Sequence, residues 1–162
     1  MQVLEQLKHL SDAQFLAIYE SLSEQGFGPL DLEVAKALNF RPQAIRKLPF
    51  AQRAKKARQI VLAKHNAEMC YEIFGAYLIR SKKELVTKFL DATGVKHEDG
   101  MVEDLEHGVP QASKIAAAVA ELDRQFPAED VTIYLSMCAQ QWPQVHEIES
   151  LWRARMGVPV DA

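Results

Sequence analysis

Nine cationic side chains, Lys36, Arg41, Arg46, Lys47, Arg53, Lys55, Lys56, Arg58 and Lys64, fall between Val34 and Ala67 with no Asp or Glu among them. Ammonium and guanidinium groups at that density neutralise phosphates, and guanidinium groups can also read base edges. Further along, the stretch from Glu98 to Glu149 carries eleven carboxylates opposed only by Lys114 and Arg124. A basic third followed by an acidic third favours a charged partner, and it equally allows attraction between the two halves of the chain.

Within the acidic third, His97, Glu98, Asp99, Glu103, Asp104, Glu106 and His107 are the residue types of a divalent-metal site. Their spacing lacks the alternating oxygen ligands and the glycine placement of a calcium loop. The segment therefore reads as an acidic loop, which could serve as a patch for a basic partner, and no metal site is expected. Catalysis has little footing. Cys70 and Cys138 sit in apolar helical patterns with nothing beside them to activate a thiol, and His9, His65, His97, His107 and His146 are scattered. There is no glycine-rich phosphate loop, no paired-cysteine motif and no His–Glu metal helix. Glu129 and Asp130 follow Pro127 at a helix start, where they favour the helix dipole. A non-enzymatic protein without a cofactor is the expectation.

The most ordered local pattern is Asp31–Leu48, DLEVAKALNFRPQAIRKL. Ala35 is small where two helices would cross, and Asn39 tolerates the left-handed backbone of a tight turn, although glycine is usual there. Val34, Leu38, Phe40, Ile45 and Leu48 supply the apolar packing, and Pro42 suits the first turn of a second helix. Over these residues alone the chain resembles the helix-turn-helix of many bacterial DNA-binding domains. The resemblance implies that Arg41, Gln43, Arg46 and Lys47 face a DNA groove. Pro49 keeps that second helix short. The next helix, Phe50–His65, adds Arg53, Lys55, Lys56 and Arg58 as candidate phosphate contacts. At about 100° per residue these charges spread around the apolar stripe of Phe50, Ala54, Ala57 and Val61 instead of forming one row. They fit equally well a solvated helix whose cationic stems cover that stripe.

The elements that must position these residues are helical. Ala, Leu, Glu, Lys, Gln and Arg dominate, and no stretch alternates apolar and polar residues long enough for a half-buried strand. Ser11 caps a helix to about Gln25. Short helices are expected over Asp31–Leu38 and Pro42–Leu48, then longer ones from Pro49 to His65 and from Ala67 to Ile79. Ser81 and Glu84 predict a capping box opening a helix that ends at Gly94. Three more helices cover about 111–125, 128–140 and 143–155, with Trp142 and Trp152 in the core. The fold expected is all-α, a compact bundle of about eight helices, several of them short, with one long acidic loop at about 95–110. The chain reads as a single domain, 1–162, and the loop is the one place to divide it, into 1–94 and 111–156.

The opening MQVLEQLKHLSDAQF has no basic head followed by an apolar run, and no apolar stretch approaches the roughly 18 residues of a membrane span. With two cysteines expected as buried thiols, a cytoplasmic location follows by default. Two functional classes follow. The first is a non-enzymatic protein-interaction or adaptor domain that binds another protein or itself. The second is a DNA- or RNA-binding protein using residues 31–48 and the basic helix 50–65.

Overall fold

A computed structural model describes residues 1–24, 36 and 47–157. These residues form eight helices and no strand, so the all-α expectation holds for them. The helices are α1 (Gln2–His9), α2 (Asp12–Glu24), α3 (Phe50–Ala63), α4 (Ala67–Ser81), α5 (Lys83–Ala92), α6 (Ala112–Gln125), α7 (Ala128–Gln141) and α8 (His146–Arg155). None is long and apolar enough to cross a membrane. The chain groups into two compact units, Val3–Tyr77 and Leu78–Ala162, and the division falls within α4.

In the first unit, α1 is a helix that the sequence patterns above did not anticipate. It buries Val3, Leu4 and Leu7 on one side. α2 begins where expected. The Ser11 Oγ accepts from the Gln14 backbone N–H at 3.1 Å and the Gln14 Oε1 accepts from the Ser11 N–H at 2.9 Å, a reciprocal capping box. Phe15, Ile18, Tyr19 and Leu22 of α2 are buried, as are Ala54, Ala57 and Val61 of α3, while Phe50, the fourth residue of the α3 stripe read from the sequence, is half-buried. Asn66 opens α4 by accepting the Met69 N–H at 3.0 Å, and Cys70, Ile73 and Phe74 line its buried side.

Arg58 holds this unit's helix ends together. Its Nη2 points at the carbonyl oxygens of Leu7 (2.9 Å), Lys8 (3.1 Å) and Leu10, and its Nη1 meets the Asp12 carboxylate at 3.0 Å. One guanidinium thus serves both the C-terminus of α1 and the N-terminus of α2, where the helix dipole favours a cation and an anion respectively.

In the second unit, α7 is buried nearly all round, from Asp130 and Val131 through Ala139. It packs with α6 and α8, and the Tyr134 ring meets Phe89 of α5 edge to face at 5.3 Å. Trp142 and Trp152 are both in the core, as expected. Arg155 at the end of α8 makes a bidentate pair with Asp123 of α6 (2.7 and 2.8 Å) and also donates to the Thr132 hydroxyl and the Ala128 carbonyl of α7. Two boundaries differ from expectation. The predicted Ser81–Glu84 capping box does not form, because α4 runs through Ser81 and leaves Lys82 as the sole residue between two helices, with no side-chain cap. The last helix starts at His146 and not at Pro143, since residues 142–145 close a turn through the Val145 N–H and the Trp142 carbonyl at 3.0 Å.

Removing Arg58 should leave three carbonyls and a carboxylate without their donor. Arg58→Ala is expected to lower the free energy of urea unfolding, followed by far-ultraviolet circular dichroism, by about 2–3 kcal/mol. Asp12→Ala, which deletes only the exposed partner, should cost less than ~1 kcal/mol. Equal small losses for both variants would show that the carbonyl contacts carry no stability.

Candidate functional site

The residues named as nucleic-acid contacts are differently placed. Arg41, Gln43 and Arg46, with most of the helix-turn-helix-like segment, lie outside the described residues. Lys47 and Lys55 are exposed and Lys56 is half-buried. Arg53 and Arg58 aim their charge inward. Arg53 is 8% exposed, with its guanidinium over the rings of Phe50 (5.2 Å) and Tyr19 (5.6 Å), and Arg58 is occupied at the helix ends. Among the described residues of α3, these two arginines therefore serve packing first.

The acidic segment is where the structure concentrates unusual features. Residues 95–110 form a loop with clamped ends: the Val95 N–H donates to the Leu90 carbonyl and the Gln111 N–H to the Thr93 carbonyl, both at 2.9 Å. Compact surface loops with such closed ends often carry function. Inside it, Glu98 and Met101 exchange backbone hydrogen bonds, each 2.9 Å, around Asp99 (φ +53°) and Gly100 (φ +87°). Two successive positive φ values are the signature of a two-residue hairpin turn, for which Asp-Gly is a favoured pair. The dipeptide Asp99–Gly100 was the signal in the sequence for this turn, and the expectation of an acidic loop passed over it.

His97 fixes the hairpin. Its Nδ1 accepts the Gly100 backbone N–H at 3.0 Å, so Nε2 carries the ring proton and donates to Asp91 at 2.7 Å. Both ring nitrogens are engaged, one with the hairpin backbone and one with the Asp91 carboxylate, which leaves neither in position to act as a base. Asp104 makes the second clasp, accepting from the His107 backbone N–H (3.0 Å) and from its ring Nδ1 (3.0 Å). These bonds, the backbone one foremost, hold the Asp104 carboxyl below the usual carboxylate range. Gly108 comes so close to this clasp that a Cβ there would sit 2.5 Å from the Asp104 carbonyl oxygen.

The fixed backbone displays two large apolar side chains to solvent, Met101 at 62% and Leu105 at 49% exposure. They stand among Glu98, Asp99, Glu103, Asp104 and Glu106, all exposed. A depression of about 520 Å³ is lined by Lys96, His97, Glu98, Glu103, Asp104 and His107. No group of three or more His, Cys, Asp or Glu side chains among the described residues could hold a metal ion. The thiols are remote from chemistry too: burial pushes both Cys70 and Cys138 up to about 12, and Cys70 donates its S–H to the Val3 carbonyl at 3.2 Å.

Comparison with protein-family models, curated proteins and solved structures finds no match.

Two outcomes test this description of the loop. Gly108→Ala should break the Asp104 clasp and raise amide exchange rates across 104–109 at least about tenfold, with far-ultraviolet helicity unchanged. Acidification should reversibly lower the protection of the same amides, measured against their intrinsic exchange rates, which themselves fall with pH. A carboxyl held below its unfolded value supports the clasp above that value, and the support is lost as pH falls through the lowered one. Exchange unaltered by the substitution and by acid would refute the clasp.

Proposed function

We propose that this chain is a non-catalytic protein-interaction module, an adaptor, whose binding surface includes the loop 95–110. The observation that carries the reading is the exposure of Met101 and Leu105 on a backbone held by two clasps. Large apolar side chains displayed together by one ordered loop are features of interfaces. A loop already fixed in shape loses little conformational freedom on binding, which leaves more of the contact energy as affinity. The carboxylates around them supply a polar rim that selects partners by charge.

Replacing Met101 by a photo-crosslinking amino acid tests the reading directly. Irradiation in the source cell should give discrete protein adducts that disappear when Leu105→Ser or Gly108→Ala is combined with it. The same probe at exposed Lys114 should give none. Adducts absent at Met101, or equally abundant at Lys114, would remove the loop from the binding surface.

Nucleic-acid binding through residues 31–48 and 50–65 is a second reading, supported by the exposure of Lys47 and Lys55 and weakened by the inward use of Arg53 and Arg58. On that reading, duplex DNA, single-stranded DNA or RNA binds at low salt with an affinity that falls steeply as salt rises. Lys47→Glu combined with Lys55→Glu then weakens binding at every salt concentration. Fluorescence anisotropy without binding at the lowest salt would end this reading.

A further inference from the structure

We infer that His97 is a pH-sensitive latch, which holds the tip of the 98–101 hairpin down on α4 and α5 while its ring is neutral and releases it when the ring is protonated. As a control of binding, this rests on the reading of the loop as the interaction site.

The latch depends on which nitrogen carries the proton. Nδ1 accepts the Gly100 N–H through its lone pair, at 3.0 Å. A second ring proton has to go to this nitrogen, because Nε2 already holds one for Asp91. Once protonated, Nδ1–H and the Gly100 N–H are two donors face to face, and the bond is lost. Ring protonation and the closed hairpin therefore exclude each other. Histidine is the side chain that changes charge between about pH 5 and 8. The open hairpin binds one more proton than the closed one, so the closed state is favoured at higher pH and lost as pH falls through that range. The Asp104 clasp gives way only at lower pH, since its carboxyl is held below the usual carboxylate range.

The surroundings decide which part moves. The His97 side chain is only 13% exposed, and Asp91 of α5 meets its Nε2 at 2.7 Å, a bond that strengthens when the ring is charged. From its own loop, Lys96, Glu98, Glu103, Asp104 and His107 line the same depression. The carboxylates attract a charged ring, Lys96 opposes them, and His107 is turned to Asp104. Charging the ring therefore gives it no cause to leave its place. The hairpin tip has weaker ties. A Cβ on Gly100 would lie 3.3 Å from the Ile79 Cδ1 and 3.4 Å from the Val86 Cγ1, so its backbone rests directly on α4 and α5. Beside that contact, the tip is tied to α5 by the Asp99–Lys83 pair at 3.2 Å. Its carboxylate is 82% exposed, and such pairs contribute little. Without the Gly100 bond the tip lifts, which uncovers the buried Val86 and displaces Met101, the next residue in the chain.

The test is NMR on the full chain at about pH 7.5 and about pH 5.5, on either side of the middle of the histidine range. Nuclear Overhauser contacts from the Gly100 α-protons to the Ile79 and Val86 methyl groups should be present at the higher pH and lost at the lower. Protection of the Gly100 amide, taken against its intrinsic exchange rate, should fall at least about tenfold, while the amides of α7 keep theirs. His97→Asn places an oxygen acceptor near the Nδ1 position and does not titrate, so it should hold the contacts at both pH values. His107→Gln removes the other histidine of the loop and should leave the response intact. Contacts unchanged by pH overturn the inference. So does a response that survives in His97→Asn, one that is lost in His107→Gln, or a loss of protection shared by α7. Hairpin release without Met101 crosslinks in the source cell would keep the latch and remove the interaction reading, whereas crosslinks without release would do the reverse.

Discussion

The last four carbonyl groups of any helix have no donor within it, so a helix as short as α1 leaves about half of its carbonyls unserved. Apolar burial alone cannot hold such an element, because each of those groups must find a partner or remain in water. Arg58 resolves this in the first unit by bringing one guanidinium to the end of α1 and the start of α2. Arg155 does the equivalent work in the second, tying the end of α8 to α6 and to the first turn of α7. In both cases a planar cation with several donors joins backbone and carboxylate, which a lysine could not do. The packing of the short helices follows from these two fixed points.

This use of arginine changes the meaning of the basic run. Composition treats every cation between Val34 and Ala67 alike, yet the structure divides them. Arg53 lies against Tyr19 and Phe50, Arg58 sits between helix ends, and Lys47, Lys55 and Lys64 remain at the surface. Of the seven cations of the run that the structure describes, two, both arginines, thus spend their charge on packing.

Much of the fold was legible in the sequence, because a helix writes its buried face at a period of 3.6 residues. Phe15, Ile18, Tyr19 and Leu22 declare α2, and Ala54, Ala57 and Val61 declare α3. What failed did so for identifiable reasons. α1 carries the same period at Val3, Leu4 and Leu7, continued at Leu10, but eight residues are short for a pattern to stand alone. Ser81 and Glu84 match a capping box by type, but tertiary packing carried α4 past the serine. The candidate site was legible as charge and illegible as shape. The carboxylates of 95–110 were plain, while the clasps made by His97 and Asp104 join residues whose pairing no spacing rule announces. Only Asp99–Gly100 advertised the turn.

The two cysteines have a further consequence. Burial pushes both thiols up to about 12, which makes scarce the thiolate, the form that oxidants and electrophiles attack. Cys70 lies in the first unit and Cys138 in the second, each enclosed by its own core. Chemical ageing at sulfur falls instead on the exposed thioethers of Met1 and Met101, and at Met101 oxidation to the sulfoxide would put a polar group on the most exposed apolar side chain of the loop 95–110.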